Sequence, residues 1–142
     1  MAPLDLPLEF GNAGEARTDG TGWFVGFSDW ARAPFDLRWL PFETRSHGLS
    51  IKWYRHADGH PYGEPKPIST GRTISILVNE GGAFRLWFSA SPAFEPGATV
   101  ERVLRCPGDF AIWGAGVYHR TWSLAASTIL TVRWIPEGEA EA

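Results

Sequence analysis

Residues 73–88 read TISILVNEGGAFRLWF, and this stretch decides the fold class. Two short runs rich in β-branched and aromatic residues, 73–78 and 83–88, flank the tetrapeptide NEGG at 79–82. Asn and Gly tolerate the positive φ angles of tight turns. The pattern therefore predicts two β-strands joined as a hairpin.

Similar short runs continue on both sides of this predicted hairpin. The run 49–55 alternates Leu49, Ile51 and Trp53 with polar residues, which is typical of a half-buried strand. Gly and Pro interrupt every segment that has a helical pattern, and the turn expected at 29–33 ends at a proline. Eight or nine short strands without intervening helices predict an all-β sandwich or barrel. The remaining predicted strands are 22–27, 35–40, 99–105, 109–113, 117–122 and 127–134.

Composition narrows the classes of partner. The chain has 142 residues and a net charge of −3, and its Lys and Arg residues are scattered, which argues against binding to nucleic acid or to a membrane. Cys106 is the only cysteine, which is typical of a reducing compartment. The first ten residues have no apolar core of a signal peptide, and no apolar run reaches membrane-spanning length. We therefore expect a cytoplasmic protein that binds a small molecule.

The length fits a single domain. We expect residues 21–135 to form this domain, residues 1–20 to be loosely ordered, and the acidic tail 136–142 to be disordered. The segment 56–71 is a long loop rich in Gly and Pro, and loops of this length are often functional.

The segment 107–119, PGDFAIWGAGVYH, resembles the second conserved motif of the cupin superfamily. Gly108, Gly116 and His119 match that motif, whereas Gly114 replaces its usual proline and Ser123 its usual asparagine. The predicted hairpin resembles the one that closes the first cupin motif, and the likeness extends over residues 51–134. This resemblance implies a single-domain jelly-roll barrel with a central pocket. It also leaves open a homodimer formed through edge strands.

The resemblance also implies a divalent metal held by two His, a Glu and a later His. Ser75 stands at the Glu position, residues 69–71 stand near the two His positions, and only His119 matches. We therefore predict that no cofactor is bound. The alternative is that the loop residues His56, His60 and Glu64 join His119 around Fe, Mn, Zn or Ni.

Candidate site residues follow from strand alternation and from the resemblance, which places the face of His119 inward. His119 is the predicted general acid or base, and a His that only fills the core is the alternative. Ser75 and Arg133 are predicted to contact the ligand, although Arg133 also suits a solvent-facing position. Eight tryptophans are many for this length, and three of them are expected to border the pocket, namely Trp53, Trp87 and Trp113.

Three functions remain open at this point. The first is a metal-independent isomerase, cyclase or dehydratase that acts on a small, fairly apolar organic molecule. The second is a metal-dependent cupin oxygenase or isomerase that uses His56, His60, Glu64 and His119. The third is a binding or sensing module without catalytic activity.

Overall fold

The computed structural model describes residues 6–25, 37, 46–59 and 66–138. Almost all regular structure in these ranges is β-strand, which confirms the predicted fold class. Two 3-10 turns, Ala13–Glu15 and Pro96–Ala98, are the only helical segments described there, and neither is long or apolar enough to cross a membrane. The strands are β1 (Leu8–Asn12), β2 (Ser46–His56), β3 (Arg72–Leu77), β4 (Ala83–Ser89), β5 (Thr99–Leu104), β6 (Asp109–Trp113), β7 (Tyr118–Ala125) and β8 (Ser127–Pro136).

The strands form two antiparallel sheets. One has five strands in the order β1-β6-β3-β8-β2, and the other has three in the order β5-β4-β7. The chain changes sheets between β3 and β4, between β5 and β6, between β6 and β7, and between β7 and β8. Repeated crossing of the chain between two facing antiparallel sheets is the arrangement of a jelly-roll barrel, and every pair of neighbouring strands except β4 and β5 is formed by strands that are not consecutive in the chain.

The predicted hairpin at 73–88 is wrong, although both of its strands exist. β3 pairs with β6 and β8, whereas β4 pairs with β5 and β7, so the segment between them is a corner that joins the two sheets. Asn79 fixes this corner, since its Nδ2 donates to the carbonyl oxygen of Ala126 (3.1 Å) and its Oδ1 accepts from the amide of Thr128 (2.7 Å). Both bonds join Asn79 to residues far away in the sequence, so the local turn pattern at 79–82 does not indicate them.

The barrel begins before residue 21, where the sequence analysis placed its start. β1 pairs with β6 over five residues, from Leu8 opposite Trp113 to Asn12 opposite Asp109. At its centre Gly11 lies against the ring of Phe110, and a Cβ at that position would come within 2.9 Å of the ring. A glycine inside a short run weakens the sequence pattern of a strand, so β1 was not predicted. Here the close approach of the Phe110 ring requires a residue without a side chain. At the other end, β8 runs through Pro136, and residues 139–142 lie outside the described ranges.

Three other predicted elements are absent from the structure or lie mainly outside its described residues. Residues 22–25 form no strand, although a strand was expected at 22–27. The helical turn at 29–33 and the strand at 35–40 lie outside the described residues, apart from Leu37.

The five-stranded sheet has an apolar outer face, whereas its inner face carries polar side chains along the cavity and apolar side chains in the barrel core. Buried side chains of its outer face form one core cluster, and partly buried side chains, among them Phe24, Val25 and Leu37, pack against it. A second cluster occupies the barrel interior. The outer cluster contains Ile74, Phe110, Ile112, Val132 and Trp134; the inner one contains Leu77, Phe84, Leu86, Phe88, Leu104, Ala111, Trp113, Val117 and Ile129.

β2 forms one edge of the five-stranded sheet, and the apolar residues of its alternating pattern lie on the outer face. Leu49, Ile51 and Trp53 are 59%, 66% and 63% exposed. Lys52 and His56, on the opposite face, line the interior of the barrel. The strand itself was predicted correctly, but it is not half-buried: His56 is its one buried residue, and its polar face is the one that points inward.

Candidate functional site

A cavity of about 560 Å³ lies between the two sheets, within the size range of small-molecule sites. Side chains from both sheets line it, together with the segment 66–70 that leads into β3. The residues that line it are Lys52, His56, Lys66, Pro67, Ile68, Ser69, Thr70, Thr73, Ser75, Phe84, Leu86, Trp113, His119, Thr121, Ile129, Thr131 and Arg133.

One end of the cavity is basic. Lys66 and Arg133 line this end, Lys52 lines the cavity one step away as the register partner of Thr131, and the charges of all three act on His119. Arg133 Nη2 donates to the carbonyl oxygen of Thr70 (2.8 Å) and also contacts the Thr70 hydroxyl. These bonds hold the guanidinium beside the 66–70 segment, and they leave a positive field at this end of the cavity.

Ser69 fastens the 66–70 segment to the turn between β6 and β7. Its amide donates to the carbonyl oxygen of Val117 (2.9 Å), and its carbonyl oxygen accepts from the amide of Gly116 (2.9 Å). Its hydroxyl donates to the carbonyl oxygen of Gly114 (2.7 Å) and accepts from the amide of Val117 (3.0 Å). Gly116 has a φ of +82°, which favours glycine there. The motif that resembled a cupin signature therefore anchors one wall of the site.

His119 lies at the basic end, on β7. Its ring centroid is 4.9 Å from that of Trp113, and its buried Nδ1 has no hydrogen-bond partner in the part of the chain that is described. Burial, followed by the positive charges of Lys66, Lys52 and Arg133, lowers the pKa of His119 to about 3. The imidazole is therefore neutral at physiological pH, and nearby negative charge would favour its protonated form.

Hydroxyl groups occupy the middle of the cavity, and apolar groups close its other end. The hydroxyls of Ser75 and Thr131, on adjacent strands, are 2.8 Å apart and hydrogen-bonded. Beyond them Phe84 and Ile129 line the far end, where the ring of His56 lies 4.6 Å from that of Phe84. The cavity thus changes from basic to hydroxyl-rich to apolar along its length.

Four of the predicted site residues come together in this cavity, namely Ser75, Trp113, His119 and Arg133. Two others lie elsewhere. Trp53 is on the exposed outer face of β2, and Trp87 is on the outer face of β4 between the guanidinium groups of Arg85 (5.5 Å) and Arg120 (5.1 Å). Strand alternation assigns Trp87 to the face opposite Leu86, which lines the cavity. The general acid–base role of His119 and the ligand contacts remain predictions.

Two lysines of the cavity were not predicted from the sequence, whereas Thr121 lies on the inward face of β7 that was expected from His119, although it was given no role in the site. Lys52 had a usable signal, since it alternates with Leu49, Ile51 and Trp53, but we expected the polar face of that strand to point outward. Lys66 lies in a loop, where alternation gives no direction.

The structure separates the two described members of the predicted metal-ligand set. His119 is opposite Phe88 on β4, whereas His56 packs against Phe84, four residues away on that strand, or about 13 Å. His60 and Glu64 lie outside the described residues. Within the described ranges, no three His, Cys, Asp or Glu side chains form a group that could hold a metal ion.

The sequence matches no protein-family model and no curated protein. The fold is similar to that of a solved structure, Streptomyces albus HEPD with its substrate 2-hydroxyethylphosphonate and Fe(II) bound, with a TM-score of 0.50 and 15% sequence identity. The similarity covers 63% of this chain but only 18% of that chain. It establishes a cupin-like jelly-roll fold for this protein, as the resemblance implied.

This comparison corrects the prediction that no cofactor is bound. That prediction relied on the missing first-motif ligands, whereas the similar fold holds Fe(II) together with its substrate.

Proposed function

We propose that this chain is a cupin-like enzyme whose cavity binds a small organic anion. The observation that carries the proposal is the positive charge at the basic end of the cavity, where Lys52, Lys66 and Arg133 line the cavity and all three act on the pKa of His119. Hydrogen bonds from charged donors such as a guanidinium are about twice as strong as neutral ones, and they suit carboxylates and phosphonates. The substrate of the similar HEPD structure is a phosphonate, which supports the same ligand class.

The neutral imidazole of His119 gives the cavity its candidate proton-handling group. An anion bound beside Lys66 and Arg133 would offset the charges that now lower the pKa of His119. His119 would then accept a proton more readily when the ligand is bound than when the cavity is empty. Proton transfer at a carbon or oxygen of the bound anion fits an isomerase or a dehydratase.

Binding of matched ligands tests this proposal. We expect 3-phenylpropionate to bind at least about 10-fold more tightly than its neutral amide, and Arg133→Gln to remove most of that difference. Calorimetry gives the affinities, and a change in the tryptophan fluorescence, to which Trp113 in the cavity lining would contribute, gives an independent signal. Arg105→Gln is the matched control, because Arg105 is exposed and lies outside the cavity lining. Equal affinity for the acid and the amide would refute the proposal.

A divalent metal at His119 is the second candidate feature, favoured by the HEPD comparison and by one observation in this chain. His119 is neutral, and its buried Nδ1 has no partner among the described residues. A neutral imidazole is the form that ligates metals. His119 would hold the ion, with His60 and Glu64 as the sequence candidates to complete the set, and a bound metal would supply Lewis acidity. His56 does not fit this set, because it lies at the apolar end.

Metal analysis tests this second candidate separately. We expect the purified protein to take up one equivalent of Fe(II) or another divalent ion under anaerobic conditions, with and without 3-phenylpropionate. His119→Ala, His60→Ala and Glu64→Gln should each weaken uptake, whereas the exposed His47→Ala should not. Uptake that does not depend on His119 would exclude the candidate and leave the anion proposal intact.

A further inference from the structure

The hydroxyl groups in the middle of the cavity indicate a feature of the ligand that the basic end does not specify. Ser75 on β3 and Thr131 on β8 are register partners, and their hydroxyls are hydrogen-bonded to each other. A hydroxyl has one proton and two lone pairs, so a bonded pair keeps one proton and several lone pairs for a third group. Both residues line the cavity, where that third group would be.

Thr121 gives a second, independent sign of polar recognition. It lies on β7 in the facing sheet and lines the same cavity. It is 8% exposed, and its buried Oγ1 has no hydrogen-bond partner among the residues that the structure describes. Buried hydroxyls are nearly always satisfied in folded proteins, so this one indicates a partner that is supplied from the cavity.

The apolar end limits the rest of the ligand. Phe84 and Ile129 line it, and Leu86, the register partner of Thr121, adds an apolar side chain next to it. Contact with these side chains favours an apolar group, since it removes their surface from water. A ligand with its acid group at Arg133 would extend its other end past the hydroxyls toward these residues.

We infer that the cavity recognises an organic anion that carries a hydroxyl or carbonyl oxygen between its acid group and an apolar tail. This inference rests on the proposed anion-binding function and specifies its substrate class. Ser75, Thr131 and Thr121 are the specificity-determining residues for the oxygen, and Arg133 binds the acid group.

The test compares 3-hydroxy-3-phenylpropionate with 3-phenylpropionate, which lacks only the hydroxyl. We expect the hydroxylated acid to bind at least about 5-fold more tightly to the unmodified protein, because the acid without a hydroxyl leaves buried polar groups unpaired. The double variant Ser75→Ala/Thr131→Val should bind the two acids with nearly equal affinity. Thr121→Val should reduce the preference by itself.

A matched hydroxyl pair provides the control. Thr99 and Ser89 are also hydrogen-bonded through their hydroxyls (3.1 Å) but lie outside the cavity lining, so Ser89→Ala/Thr99→Val should keep the preference. Melting temperatures of all variants establish that each is folded.

The outcomes separate the two proposals. If neither acid binds better than the neutral amide, the proposed function fails. If both acids bind equally and Arg133→Gln weakens both, the proposed function stands and this inference is wrong. A preference for the hydroxyl that survives the double variant and Thr121→Val also overturns it.

Discussion

Two isoleucines on one row of the five-stranded sheet have opposite environments. Ile74 of β3 and Ile51 of β2 both have Val132 of β8 as a register partner, so they lie on the same outer face, one strand apart. Ile74 is fully buried in the outer core, whereas Ile51 is 66% exposed. The difference comes from what lies over the sheet, since partly buried side chains such as Phe24, Val25 and Leu37 pack against the cluster that contains Ile74.

On the inner face of the same strands, polar side chains line the cavity. Thr73, Ser75, Thr131 and Lys52 point into the barrel, where they line the cavity. In most half-buried strands the apolar side faces the core, but here a polar cavity takes part of that place. The alternation of a strand therefore shows that it has two faces, while the identity of the inner face depends on what the barrel contains.

Replacing each of these two isoleucines by alanine tests the comparison, and Ile74→Ala is expected to change the stability most. Removal of a fully buried side chain should lower the free energy of unfolding by about 2–5 kcal/mol, through lost burial and a residual cavity. Urea denaturation measures this change. A loss below about 1 kcal/mol would show that the outer cluster is not a true core.

The sequence predicted the strands and the residues of the site to different degrees. The positions of β2 to β8 and the inward placement of Ser75 and His119 followed from alternation together with the cupin resemblance, whereas β1 was missed and no strand forms at 22–25. The corner at 79–82 did not, because the bonds of Asn79 to residues 126 and 128 depend on tertiary structure. Lys52 was missed because a lysine on an alternating strand usually faces solvent, and nothing local indicated a cavity.

A cavity-facing group should make stability depend on pH, and His119 is the test. Its pKa is about 3 in the folded chain against an ordinary value of 6.5, so between these values the unfolded chain binds a proton that the folded chain does not. This contribution to stability is complete above pH 6.5 and decreases as the pH falls, by up to about 1.4 kcal/mol per pH unit.

Denaturation of the metal-free protein at pH 6 and pH 5, alongside His119→Gln, isolates this effect. The glutamine variant should lose less stability than the unmodified protein over that interval. Titration of the His119 ring by NMR supplies the direct measurement, and a pKa near 6 would contradict the prediction.

A smaller effect is expected from Lys52→Met, on the inner face of β2 beside the exposed Ile51. The positive charge of Lys52 lowers the pKa of His119, so its removal should raise that pKa. Burial and the charges of Lys66 and Arg133 remain, so the shift should be only part of the total. The exposed Arg105→Met should leave the ring titration unchanged. An unchanged pKa in Lys52→Met would show that its ammonium group does not act on this end of the cavity.

The smallest effect is expected from Ile51→Ala. It is the same substitution as Ile74→Ala, but at the exposed register partner of Val132. Little apolar surface is removed from water at a side chain that is 66% exposed, so the free energy of unfolding should change by less than about 0.5 kcal/mol. Leu49 and Trp53 flank Ile51 on the same exposed face, and a homodimer that covers this face of β2 would bury all three. The melting temperature of the unmodified protein would then rise with protein concentration, and Ile51→Ala would remove that dependence. Measurement at two concentrations distinguishes an exposed stripe from a covered one. A loss of 2 kcal/mol or more in Ile51→Ala would place this isoleucine in the same class as Ile74.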